Sequence, residues 1–80
     1  SLESRFQEFG RSMLTDREQL VTKMILTGHS SNSIGLNLGI SLPTVKTHRR
    51  NIYVKLEISS QAELFNLFVQ NLLEGASQTI

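Results

Sequence analysis

Residues 38–56 read Leu-Gly-Ile-Ser-Leu-Pro-Thr-Val-Lys-Thr-His-Arg-Arg-Asn-Ile-Tyr-Val-Lys-Leu, and their pattern decides the fold. Gly39 can turn the chain, Ile40 can plug a core, and Ser41 can cap the helix that follows. Pro43 falls in the first turn of that helix, where its missing amide costs nothing. From about Leu42 to Leu56, helical spacing turns Val45, Ile52 and Leu56 to one side, which must face a core. Lys46 and Arg50 stand one turn apart on the opposite side, with Thr47 and Val54 beside them and Tyr53 at the margin.

Working outward, a shorter helix begins at Ser30 or Ser31 and carries Ile34 and Leu38 on one face. Gly35 lies on that same side, so another backbone can approach it closely. Two short helices joined by a three- or four-residue glycine turn make a helix-turn-helix motif. Further upstream, Thr15-Asp16-Arg17-Glu18 is a capping box that opens a helix with the apolar stripe Leu20, Val21, Met24 and Ile25. Gly28 ends it in the left-handed region. Downstream, Ser60-Gln61-Ala62-Glu63 is a second capping box. Leu64 to Leu73 then holds seven apolar residues in ten, a wider face than a small core needs. Self-association through Phe65, Phe68, Val69 and Leu72 is the simplest use of the surplus; a neighbouring domain is the alternative cover.

No stretch alternates at period two, so the expected fold is all-α, a compact four-helix domain over residues 14–74. Residues 1–13 place Leu2, Phe6, Phe9 and Met13 at helical spacing, as a short helix or linker remnant docked by its apolar side. Gly75 punctuates the end and leaves 75–80 as a tail.

Eighty residues and 9.0 kDa leave room for one domain, and the start at Ser1 suggests a module of a larger protein whose signal-sensing part lies upstream. With no cysteine, a disulfide framework, a thiolate metal site and a cysteine nucleophile are excluded. Apolar runs are too short for a membrane span or secretory signal, which fits a cytoplasmic protein. Net charge is only +1, but all seven acids flank the 38 residues from Gln19 to Leu56, which carry five Lys and Arg. A basic stripe on a balanced domain suggests a polyanionic partner; a merely solvated helix face is the plain alternative. His29 and His48 lack acidic companions and metal-ligand spacing, and no phosphate loop or nucleophile constellation exists, so neither enzyme activity nor a metal or cofactor is expected.

The exposed flank of the third helix presents Lys46, Thr47 and Arg50. An α-helix fits the DNA major groove, where long cations reach guanine O6 and N7 and a threonine methyl can meet a thymine methyl. Arg49, His48 and Lys55, with the hydroxyls of Ser41 and Thr44, suit phosphate contacts that set register.

Leu14-Thr15-x-Arg17-Glu18, Gly28-x-Ser30, Ile34, Leu38-x-Ile40-Ser41, Thr44-Val45-Lys46-x-His48, Ile52, Lys55-Leu56 and Glu63-Leu64 together resemble the LuxR-type (GerE-like) helix-turn-helix domain. Such domains commonly end bacterial quorum-sensing regulators and response regulators of the FixJ and NarL type. The resemblance implies a third helix in the major groove and a fourth at the dimer contact. It places base-reading positions on Lys46, Thr47 and Arg50, and backbone-contacting positions on Thr44, His48, Lys55, Ser30 and Ser41. Two features depart from the family pattern. Ser31-Asn32-Ser33 stands where Asn-Lys-Glu is common, and Gly35 replaces the usual alanine at a helix-propensity cost of about 1 kcal/mol. Both suggest a loose second helix.

The expected function is therefore a sequence-specific, dimeric DNA-binding output domain of a transcription regulator, acting on double-stranded DNA with an inverted-repeat operator. A sigma-factor-like promoter reader would instead work bound to RNA polymerase and need no self-association. A protein-interaction module would use the Phe65, Phe68 and Leu72 surface, but leaves the acid-free stretch unexplained.

Overall fold

The computed structural model describes Phe9, Arg11 and residues 13–78, of which 75–78 by backbone alone. Among the described residues four helices follow one another: α1 (Asp16–Leu26), α2 (Ser31–Leu38), α3 (Leu42–Leu56) and α4 (Gln61–Gln78). The fold is all-α, as the periodicity requires. The expected placement of Leu2 and Phe6 lies outside the described residues.

Each helix starts on a cap that satisfies orphan amides. At α1 the box closes as the sequence predicts: Glu18 N–H donates to Thr15 Oγ1 at 3.1 Å, and Thr15 N–H donates to Glu18 Oε1 at 2.9 Å. Ser30 Oγ accepts from Ser33 N–H at 3.1 Å, and Ser41 Oγ accepts from Thr44 N–H at 3.3 Å. At α4, Ser60 Oγ accepts from Glu63 N–H at 3.2 Å, but the Glu63 carboxylate reaches back one residue further, to Ser59 N–H and Oγ, both at 2.8 Å. The helix ends are equally local. Gly28 and Gly39 take φ values of +98° and +68°, the left-handed turns expected of them. Glu57 makes the same turn after α3 with φ +58°, without glycine's freedom.

Val21, Ile25, Ile34, Val45, Ile52 and Leu64 are almost completely buried and join Phe9, Leu14 and Phe68 in one core. The helix-turn-helix crossing is tight at Gly35. A Cβ there would stand 2.9 Å from the Ile40 carbonyl oxygen, and Ile40 N–H donates to Gly35 O at 3.0 Å. The glycine that weakens α2 on propensity thus permits the turn's close return. Ser33, which stands where an acidic capping partner is usual, bonds His29 Nδ1 through its hydroxyl at 2.8 Å.

Four expectations need correcting. Met13 is 52% exposed and does not dock with Phe9 on an apolar side. Leu20 is 41% exposed, because the α1 stripe centres on Val21 and Ile25 and leaves it at the edge. Gly75 does not end the last helix: α4 runs through it to Gln78. Phe68 is not available to a partner, because it is buried edge-to-face against Phe9 with ring centroids 5.2 Å apart.

Candidate nucleic-acid interface

Burial of Val45 and Ile52 fixes the rotation of α3 about its own axis. The opposite flank is consequently open. Lys46, Thr47, Arg50 and Asn51 are exposed, and Val54 remains 70% exposed beside them. Lys46 and Arg50 make no intramolecular hydrogen bond or ion pair with the described residues. Thr47 Oγ1 donates to Pro43 O at 3.0 Å, which satisfies its hydroxyl hydrogen on the helix's own backbone. Asn51, one turn beyond Thr47 on the same open flank, is an exposed polar residue that charge-led sequence reasoning passed over. An exposed amide four residues from a nominated reader was the available signal, since asparagine can pair with adenine.

The flanking residues divide into two groups. Ser30, Ser41 and Thr44 lie exposed at the starts of α2 and α3, and Ser41 and Thr44 share a hydroxyl hydrogen bond of 2.8 Å. His48 is half-buried on the edge of the core face. The other two cations are engaged within the domain. Lys55 Nζ lies 2.6 Å from Glu18 Oε1, joining α3 to the capping box of α1 across 37 residues of sequence. The Lys55 ammonium beside Glu18 holds its carboxyl below the usual 4.5; burial opposes this and the Thr15 amide adds to it. Arg49 donates to Ser31 Oγ, Tyr53 Oη and Gln61 Oε1 at 2.6, 3.0 and 3.1 Å. Neither tie is visible in residue spacing, because each spans elements whose packing has to be known first.

A shallow groove of about 390 Å³ runs between the start of α2 and the near edge of α3, lined by Ser31, Lys46, Arg49, Arg50, Tyr53 and Val54. Its walls are cationic or neutral, which suits an anionic backbone passing along α3. Among the described residues no group of three or more His, Asp or Glu could hold a metal ion, and no helix is long and apolar enough to cross a membrane.

Comparison with known proteins agrees with this geometry. The family described as bacterial regulatory proteins, luxR family, matches residues 12–68. The chain is 41% identical over 73 residues to a protein of Aeromonas salmonicida described as an HTH-type transcriptional regulator in the exeN 3′ region, covering 91% of this chain and 37% of that one. It is 40% identical over 63 residues to the HTH-type transcriptional regulator MalT of Vibrio parahaemolyticus, covering 79% of this chain and 7% of that one. It is 45% identical over 51 residues to the response regulator protein TodT of Pseudomonas putida, covering 64% of this chain and 22% of that one. The chain therefore spans well under half the length of these relatives. No solved structure matches it. With the family match covering most of the chain and the helix-turn-helix built as the motif demands, the chain belongs to the luxR family of bacterial regulatory proteins.

Proposed function

We propose that this chain is the DNA-binding output domain of a longer cytoplasmic transcription regulator, and that α3 lies in the major groove of its operator. The observation that carries the proposal is the unpaired, exposed Lys46 and Arg50 on the flank opposite buried Val45 and Ile52. Lys46 and Arg50 supply hydrogen bonds to guanine, and the Thr47 methyl meets a thymine methyl while its hydroxyl hydrogen stays on Pro43 O. Ser30, Ser41, Thr44 and His48 take phosphates and set the register. Lys55 can add a phosphate through the two N–H groups its Glu18 bond leaves.

Two copies joined through α4 would place two such helices on an inverted repeat. Phe65 and Leu73 are 53% and 62% exposed, and half-buried Val69 and Leu72 extend that surface, which supports self-association without Phe68.

The test starts from duplexes selected out of random sequence by the 80-residue chain. Lys46→Ala and Arg50→Ala should each cost about 1–3 kcal/mol on the selected site and relax selectivity at one position. Equal losses on selected and scrambled duplexes would overturn base reading. Sedimentation with and without the duplex tests the dimer: two chains per site are expected, and a single chain at saturation contradicts it.

A further inference from the structure

We propose that Arg49 is a positioning residue that sets the angle at which α3 meets DNA, and that it makes no phosphate contact; this rests on the DNA-binding function proposed above. A guanidinium is a rigid planar fork, so bonds to several elements at once fix those elements relative to one another. Here the fork joins three helices. Nη1 donates to Ser31 Oγ at 2.6 Å, in the first turn of α2, and Nη2 donates to Gln61 Oε1 at 3.1 Å, in the first turn of α4. Nη2 also donates to Tyr53 Oη at 3.0 Å, one turn along α3, with the guanidinium carbon 5.9 Å from that ring's centroid.

The placement matters because, apart from the Lys55–Glu18 tie near its carboxyl end, α3 is held by a one-sided apolar seam. Val45 and Ile52 fix its rotation, but ridge-into-groove packing by itself sets a crossing angle only to within about 15–20°. Arg49 sits between those two anchors on the side facing both neighbouring helices. Its side chain is half-buried, whereas Lys46 and Arg50 on the open flank are exposed and unpaired. Three of the guanidinium's five N–H groups already bond protein oxygens, including both on Nη2, so turning the Nη1–Nη2 fork to a phosphate would break the tie that orients the reading face.

The two roles differ in what they do to salt dependence. A lost phosphate contact lowers the slope of log K against log salt by about 0.9 and weakens all sequences alike. A lost positioning residue leaves the slope and lowers affinity on the selected site more than on random DNA. Arg49→Ala, Arg49→Lys and Ser31→Ala are titrated on selected and scrambled duplexes from 50 to 200 mM salt (conditions of the order used for such slopes), with a urea melt of each. Arg49→Ala should lose roughly tenfold on the selected site, the scale of one misplaced base contact, with its slope unchanged. Arg49→Lys, which keeps the charge but not the fork, should fail to restore it. Ser31→Ala, which removes one arm and no charge, should fall in the same direction and keeps the test open if Arg49→Ala does not fold. Full rescue by lysine, or a slope reduced by about one in Arg49→Ala, would overturn the proposal. Wild-type chain that does not distinguish the two duplexes would instead overturn the DNA-reading function itself.

Discussion

Replacing Glu18 by Gln and Lys55 by Met, singly and together, measures how much the tie between α1 and α3 contributes to holding α3. Glutamine is a competent capping-box residue, so Glu18→Gln removes the charge while keeping the cap. The Nζ–Oε1 distance is 2.6 Å, and the two side chains are unequally sheltered: Glu18 is 6% exposed and Lys55 38%. Exposed pairs contribute at most about 1 kcal/mol, whereas breaking a fully buried one costs about 3–5 kcal/mol. A pair buried at one end falls between, so Lys55→Met, which strands a buried carboxylate, should cost about 2 kcal/mol. Glu18→Gln leaves only a half-exposed ammonium and should cost about 1 kcal/mol. The double variant should be less unstable than the sum by about 1 kcal/mol, read from urea unfolding at pH 7. The pH dependence has a definite sign. Because the folded carboxyl titrates below its ordinary value, the pair's stabilisation is present above the unfolded value near 4.5 and is lost as pH falls through the folded one. Glu63, held low by hydrogen bonds from Ser59 and Ser60, titrates in the same direction, so the difference between wild type and Glu18→Gln isolates Glu18. A coupling within about 0.3 kcal/mol of zero, or acid sensitivity identical in the two proteins, would refute the tie.

Other consequences are equally direct. Phe68→Ala should lose about 3–4 kcal/mol in urea unfolding because it empties the Phe9 contact, whereas Phe65→Ala should change stability by under about 0.5 kcal/mol and act on self-association alone. Glu57→Gly should raise the unfolding free energy by about 1 kcal/mol, since it relieves a positive φ and removes an acid from the carboxyl end of α3. Thr22 Oγ1 is buried without a hydrogen-bond partner, so Thr22→Val should be stabilising by about 1 kcal/mol, and a loss in thermal or urea unfolding would show that the hydroxyl is satisfied after all. Asn51→Ala should erase an adenine preference within one or two base pairs of the position read by Thr47 if α3 lies along the groove, as site selection with the variant would reveal.

What could be read from the residues alone was local. Capping residues, left-handed glycines and the helical period of Val45, Ile52 and Leu56 depend on neighbours within one or two turns, and they located all four helices and the open flank of α3. Burial set by distant partners could not be read. Phe68 looked like surplus apolar surface because its cover, Phe9, comes from the far end of the chain. Lys55 and Arg49 looked like free cations because charge counting does not reveal Glu18 or the oxygens of Ser31 and Gln61, which folding brings alongside. The basic stripe is therefore less uniform than its composition suggests: two of its cations work inward, and Lys46 and Arg50 stand out from the surface.

Titrating the isotopically labelled chain with its selected duplex, and following each backbone amide by NMR, tests most directly which surface meets DNA. The predicted result is a contiguous set of shifts over Thr44 to Asn51 and the first turn of α2, with the exposed side of α1 unmoved. Shifts confined to α4, or none in α3, would contradict it.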